Sequence, residues 1–514
     1  MEIGSGWKKG IWLIMSLLLL LPAPAHAVNK PAPSSALIVY DSLAIGTERE
    51  GNVEVLKRLL ASFRIQVTTE SIDSYKTGSL EQYSHLIEVH NRSDLLEEPN
   101  DYVTDLQAYK GNVLYIGEKP RDKLAQALGL QVKGVEKMVD LSIGPFAEQS
   151  IHVPYLVGST LAQEQWYGTL KPHQSNQFYP YGIRSGAYAY VPFLEKDTLS
   201  EIAITYLLKD WLQTAQNTNY YVVFKEVYPF SDLSLLERMS DELYEAGIPF
   251  IVSVRPVFSN TDYPAMKRYL IALKYVQSRN GTIFVNAPVV AWTIQDLDRS
   301  LHTQMEHFID VLADGGVVPL GMGAEMYWSY DQHYVKEGMS FFDSAILYPN
   351  EGLMHKAQMN TSKAFSSELY SIQPELLSRY LLDGRLMDPL PMDTALTFDF
   401  PQQESGLVPI LEGLKNSWIT FEDYKNGSHT VKTEKYELKS QQGSLLRNGE
   451  RVGLQADREE TSSDYVYKEQ EEKSFETWFS VQNKIFIVII FITLIVFSGF
   501  LIVGYRMYKR KYYK

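Results

Sequence analysis

The chain reads as a mixed α/β protein, exported and held by one C-terminal membrane-spanning helix, and three patterns carry that reading. Short apolar runs of strand length alternate with segments of helical spacing across residues 34–134 and again across 216–425. Between them, residues 135–215 switch to alternating polar and apolar residues punctuated by turn formers, the pattern of antiparallel strands. Near the end, Ile485 to Gly504 runs without a charged residue, about the length a helix needs to cross a bilayer.

The two ends set the topology. Lys8 and Lys9 precede an apolar run from Gly10 to Leu21, and Ala25-His26-Ala27 follows as a small-x-small exit, so residues 1–27 read as a signal peptide cleaved after Ala27. At about 1.5 Å per residue that apolar core is too short to span about 30 Å of hydrocarbon. At the other end, Glu469, Glu471, Glu472 and Glu476 precede the span at 484–505, whereas Arg506, Lys509, Arg510, Lys511 and Lys514 follow it. Basic residues collect on the cytoplasmic side, so 506–514 is expected to be a cytoplasmic tail and the bulk of the chain to lie outside. Residues 426–483 are polar and read as a stalk, with short strands at Val431 to Leu438 and Ser444 to Leu454.

Composition excludes several classes. The 514 residues carry a formal net charge of -14, and nothing outside the tail offers a basic surface for phosphates, so no nucleic-acid partner is expected. There is no cysteine, which removes disulfides, thiolate metal sites and a cysteine nucleophile, and an exported chain without disulfides points to a bacterium. The lipid bilayer is one expected partner.

Within 34–134, Ala36 to Tyr40 is a buried strand ending in Asp41-Ser42, Val53 to Phe63 is a helix, and Ile65 to Thr69, Leu86 to Val89 and Val113 to Ile116 continue as strands. This alternation predicts a parallel α/β domain of flavodoxin-like or amidotransferase-like type. Asp41 and Ser42 would stand where such sheets bind ligands, but the following loop matches no phosphate fingerprint, so a scaffold role is preferred. In 135–215, Ser150 to Val157 and Ala187 to Pro192 read as strands of a β-rich bridging region, and Leu199 to Leu212 as a helix.

Residues 216–425 begin with Tyr220 to Val227, a strand closed by Tyr228-Pro229. A helix from Asp232 ends at Gly247, a second strand runs from Pro249 to Val254 and leads into Arg255-Pro256, and a helix from Tyr263 to Gln277 precedes a third strand at Gly281 to Val285. Gly315 to Leu320 continues the series, so a parallel βα barrel or open βα sheet is predicted. The order and wording of Lys225-Glu226-Val227-Tyr228-Pro229, Ala246 to Phe250, Ile251 to Pro256 and Asn280 to Asn286 resemble the polysaccharide deacetylase superfamily. That resemblance implies a deacetylase-like (βα) barrel. Active members carry two adjacent aspartates on the first strand, one the general base and the other a metal ligand, and a paired-histidine element on the third that completes the site of the divalent metal that activates water. Lys225-Glu226 and Asn286-Ala-Pro-Val-Val290 stand at those places here. A lysine ammonium repels a cation and valine has no ligand atom, so the site reads as degenerate, with no metal and no cofactor expected.

Other words fare no better. Thr397-Phe398-Asp399-Phe400 looks like the deacetylase Thr-Phe-Asp-Asp but lacks the second aspartate, and it reads as a late barrel strand. No two histidines lie four apart, and neither a Gly-x-Ser-x-Gly elbow nor a phosphate-binding loop is present. Lys225, Glu226, Asn286, Glu325, Tyr327, Trp328, His333 and Asp399 are the ligand-binding candidates. Glu226, Glu325 and Asp399 are the catalytic ones, should a hydrolase survive. Three readings stay open: a degenerate module that binds or helps handle an envelope polysaccharide or exopolysaccharide, an active deacetylase or glycosidase with a rearranged site, and a structural or sensory ectodomain working through a membrane protein partner.

Overall fold

The computed structural model describes residues 34–92, 99–133, 137–153, 155–162, 165–173, 175–214, 218–288, 298–350, 360–382, 390–417, 419–455 and 475–512. The signal peptide, Val289 and Val290, most of the stalk beyond residue 455 and the last two residues of the tail lie outside that set. Two compact units divide at residues 459 and 460.

In the larger unit a nine-stranded sheet has the order β2-β1-β3-β4-β11-β10-β9-β6-β7. Its parallel part is β1 (Ser35–Tyr40), β2 (Gln66–Ser71), β3 (His85–Val89) and β4 (Asn112–Ile116). The remainder is antiparallel and uses β6 (Lys137–Ile143), β7 (Phe146–Val153), β9 (Trp166–Pro172), β10 (Tyr179–Ser185) and β11 (Tyr188–Val191), while β5 (Leu130–Lys133) and β8 (Leu156–Ser159) pair separately. The join is β11, parallel to β4 on one side and antiparallel to β10 on the other. The division drawn at 134/135 therefore does not separate two sheets. Tyr190 and Val191 complete the parallel edge, a pairing that local patterning cannot reveal.

Strand β1 is buried along both faces: Ala36 and Ile38 enter the main core, Leu37 and Val39 a second core. Such two-sided burial is what a continuous apolar run in a parallel strand demands. Helix α1 (Asn52–Ser62) covers the first face; α2 (Asn100–Ala108) and α3 (Asp122–Ala127) belong with the second, to which they give Tyr102 and Leu124. Val55, Leu56, Leu59 and Leu60 of α1 have no exposed surface, each worth roughly 1.5–3 kcal/mol of burial. Helix α4 (Leu199–Trp211) begins at a Thr198 cap and packs on β9 and β10.

The second assembly is a closed parallel barrel of seven strands: β12 (Tyr220–Val227), β13 (Phe250–Val254), β14 (Gly281–Asn286), β15 (Pro319–Glu325), β16 (Ser344–Tyr348), β17 (Ser367–Ile372) and β18 (Thr394–Asp399). Helices α5 (Leu233–Glu245), α6 (Pro264–Ser278), α7 (Asp298–Asp314), α8 (Gln332–Glu337), α9 (Pro374–Tyr380) and α10 (Glu404–Lys415) lie between or after the strands. A seven-stranded lumen is narrow, and glycines on one face of β15 relieve it. A Cβ on Gly321 would lie 2.6 Å from the Phe284 ring, and one on Gly323 would lie 2.5 Å from the Tyr348 hydroxyl.

The N-terminal end of the barrel is plugged. Tyr424 meets Tyr221 and Phe284 edge-on and stacks on His429 with ring centres 3.9 Å apart, while buried Lys425 donates to Asn280 O at 3.0 Å. Beyond the plug, β19 (His429–Lys432), β20 (Glu437–Gln441), β21 (Ser444–Arg447) and β22 (Glu450–Arg451) form an antiparallel sheet whose Val431, Leu438 and Leu445 are buried. The first part of the expected stalk is thus folded, and each of the two strands expected there is a hairpin. Tyr436 lies in the first turn, where Thr433 N donates to its carbonyl, and Asn448-Gly449 form the second turn.

The smaller unit holds helix α11 (Phe475–Tyr512), whose stretch Ile489–Met507 has a mean hydropathy of 2.2 and is long and apolar enough to cross a membrane.

Candidate functional site

Parallel strands present their C-terminal ends to one mouth of a barrel, and loops there carry the chemistry. At the end of β12 the pairing with β13 slips: Phe224 faces Val252, but Val227 faces Val254, so β12 holds one extra residue. That bulge leaves Glu226 with a φ of 64°, a conformation costing a non-glycine residue roughly 1–2 kcal/mol. The turned-out carboxylate meets Arg255, whose Nη2 donates to it at 2.7 Å while Nη1 donates to Ala287 O at 3.1 Å. Arg255 is also pushed by burial toward losing its proton, but Glu226 and Tyr228 more than offset this and hold it above its ordinary value.

Across the barrel seam, Lys225 Nζ lies 3.2 Å from the Asp399 carboxylate. The Lys225 ammonium also sits 5.7 Å above the Tyr348 ring. Burial pushes the Tyr348 hydroxyl up to about 12, with Ser253 and Lys225 pulling the other way. The Tyr348 and Ser253 hydroxyls are both buried beside one another, with no further hydrogen-bond partner among the described residues.

A cavity of about 590 Å³ opens at this mouth. One wall comes from the barrel, with Lys225, Tyr348, Asn350, Gln373 and Asp399, and Arg379 of α9 borders it. The facing wall comes from the sheet assembly: Arg58 of α1, Lys196 of the loop before α4 and Glu201 of α4. Arg58 is 3 % exposed, donates to Ser371 O at 2.5 Å and lies 4.4 Å over the Tyr370 ring. Tyr370 donates its hydroxyl to Glu201, which also accepts from Asp197 N at 3.0 Å. Burial raises the Glu201 carboxyl, opposed by the nearby Arg58 charge.

The structure brings Lys225 and Asp399 together on the cavity wall and sets Glu226 one residue further on, facing Arg255. Asn286 ends β14 and is 4 % exposed, and half-buried Glu325 ends β15 in register with Tyr348. Tyr327 and Trp328 are core aromatics: Trp328 packs 4.3 Å from Tyr334, and Tyr327 meets Trp328 edge-on. His333 is exposed on α8. None of these last five residues lines this cavity. Among the described residues no three histidine, aspartate or glutamate side chains converge to hold a metal ion.

Sequence reading missed Arg255, Tyr348 and Arg58. Arg255 and Tyr348 stand at strand ends, so the rule that selected Lys225 would have selected them. Arg58 carries no such signal, since its place depends on how α1 packs against β17. A second hollow of about 450 Å³ lies over the parallel part of the large sheet, bounded by Arg49, Asn91, Glu118 and Glu195. Asp41 is committed there to loop structure, accepting from Asn91 N at 2.9 Å and Arg92 N at 3.1 Å, and Ser42 Oγ accepts from Ala44 N at 3.0 Å.

No protein-family model matches the chain, and no curated protein matches it in sequence. Fold and site together define a mixed α/β protein with a closed seven-stranded parallel barrel, a polar cavity at the barrel mouth and one apolar C-terminal helix.

Proposed function

We propose that this is a membrane-anchored, extracytoplasmic protein that binds, or helps handle, a cell-envelope polysaccharide or exopolysaccharide at the barrel mouth, without metal-dependent deacetylation. The observation that carries the reading is the cavity of about 590 Å³, within the size range of small-ligand sites and walled by hydrogen-bonding side chains such as Asn350, Gln373 and Asp399. Exposed aromatics on the neighbouring rim loops, Phe230 after β12 and Tyr263 before α6, offer flat apolar faces of the kind sugar rings stack upon. The parallel strand order β2-β1-β3-β4 supports a flavodoxin-like relationship for the first domain, and the closed parallel barrel agrees with a deacetylase-like second domain. In that relationship the pair of base and metal ligand is replaced by Lys225, which places a positive charge where a cation would sit, and by Glu226, which is held by Arg255. The acidic approach and basic exit of the C-terminal helix support an outside location for the bulk of the chain.

The test uses the full chain in lipid nanodiscs, titrated by calorimetry with zinc and with a panel of oligosaccharides. Saturable oligosaccharide binding without zinc binding is expected. Micromolar zinc binding lost in Glu226→Ala, or acetate release from an acetylated oligomer, would replace this reading with a working hydrolase.

A further inference from the structure

We infer that the mouth cavity recognises an oxyanion-bearing saccharide, either a uronate carboxylate or a sugar-linked phosphate, through Arg58, a guanidinium supplied from the opposite assembly. The inference rests on the glycan-binding reading above and names the chemistry of that ligand.

The starting point is a cost without an evident return. Arg58 is almost wholly buried, yet its Nε–H has no hydrogen-bond partner and it forms no ion pair among the described residues. A buried donor left unpaired has given up its water without a replacement bond, and the loss is larger on a charged group. Its one hydrogen bond, to Ser371 O, and the Tyr370 ring beneath it fix the plane of the guanidinium without neutralising it. Glu201 is close enough to feel the charge, but its oxygens are taken by the Tyr370 hydroxyl and Asp197 N. The guanidinium therefore borders the cavity already oriented and incompletely paired.

Guanidinium is suited to this task because its planar fork matches carboxylate and phosphate oxygens, and rigid placement lowers the entropy lost on binding. Lys196 borders the same wall and adds a second cation, beside the carboxylates of Asp197 and Glu201. On the barrel side Lys225 and Asp399 already pair with each other, leaving little net charge there. A ligand spanning the cavity would set its acidic group against Arg58 and Lys196, and its hydroxyls against Asn350 and Gln373. It would thereby clamp α1 to the end of β17.

Full chain in nanodiscs is titrated with three probes of matched length: an oligogalacturonate, a phosphate-bearing oligomannose, and neutral maltohexaose. The expected result is that at least one acidic probe binds about tenfold or more tightly than the neutral one, and that its affinity falls with added salt. Arg58→Lys, which keeps the charge but loses the fork, should cost that probe about tenfold, and Lys196→Gln should weaken it less. Which acidic probe wins identifies carboxylate or phosphate as the source. Equal binding of maltohexaose and both acidic probes, insensitive to salt, overturns the inference while leaving glycan binding intact. Unchanged acidic-probe affinity in a folded Arg58→Lys chain overturns it as well. Binding of none of the three overturns it too, and with no response across the broader panel the parent reading also falls. Should Arg58→Lys not fold, equal and salt-insensitive binding of acidic and neutral probes by the unmodified chain still overturns the inference.

Discussion

Lys225 and Asp399 are register partners on the first and last strands of the barrel, and their side chains close the seam with a 3.2 Å ion pair. The Asp399 side chain is 69 % exposed and that of Lys225 16 %, so water screens one partner far more than the other. An exposed pair of this kind contributes at most about 1 kcal/mol to stability.

The pair should accordingly matter more to binding than to folding. Lys225→Ala and Asp399→Asn are each expected to shift urea-denaturation stability by less than about 1 kcal/mol. The same changes should weaken oligosaccharide binding by about tenfold for Lys225, which reaches into the cavity wall, and less for Asp399. Calorimetric titration beside urea denaturation separates the two effects. A large stability loss with unchanged affinity would show that the seam is structural.

Glu226 gives a second prediction, because its backbone and its side chain pull in opposite directions. Glu226→Ala keeps the unfavourable φ of 64° and loses the 2.7 Å contact to Arg255. Glu226→Gly loses the same contact but removes the conformational cost. The glycine variant should therefore be more stable than the alanine variant by about 1 kcal/mol, measured by thermal or urea unfolding. Alanine equal to glycine would mean that the bulge relaxes on substitution.

How far the sequence reached follows from which interactions are local. Strands such as Ala36 to Tyr40 and Pro249 to Val254 were readable because buried parallel strands are short continuous apolar runs. The strand-end position of Lys225, Glu226 and Asp399 was readable for the same reason. The parallel pairing of β11 with β4 was not, since Tyr188 to Val191 alternates like any antiparallel strand while its partner lies far back in the chain. The hairpins after residue 428 were blurred because Tyr436 and Leu438 look continuous with Val431 until the turn at 433–436 is seen. Arg58 was invisible as a site residue for a related reason. It lies on a helix whose pattern reports burial, and nothing in that pattern says that the burying surface is β17 of another assembly.

The plugged end of the barrel yields the last prediction. His429 is buried between Tyr424, on which it stacks, and Ser344, whose hydroxyl shares a 2.8 Å hydrogen bond with Nδ1. Burial lowers its pKa to about 4 from an ordinary 6.5, with Asp343 partly opposing the shift. The folded state thus binds the proton less readily than the unfolded chain. The stability this provides is complete above 6.5 and is lost as the pH falls through 4, with a slope of at most about 1.4 kcal/mol per pH unit inside that window. His429→Phe keeps an aromatic ring against Tyr424 but cannot titrate. It should be less stable than the unmodified chain by about 1 kcal/mol at pH 8, through the lost hydrogen bond, and the deficit should shrink or reverse toward pH 4. Urea denaturation of both chains across this range is the check. Parallel stability curves would mean that His429 titrates alike in the folded and unfolded states, and so that the plug does not hold it neutral.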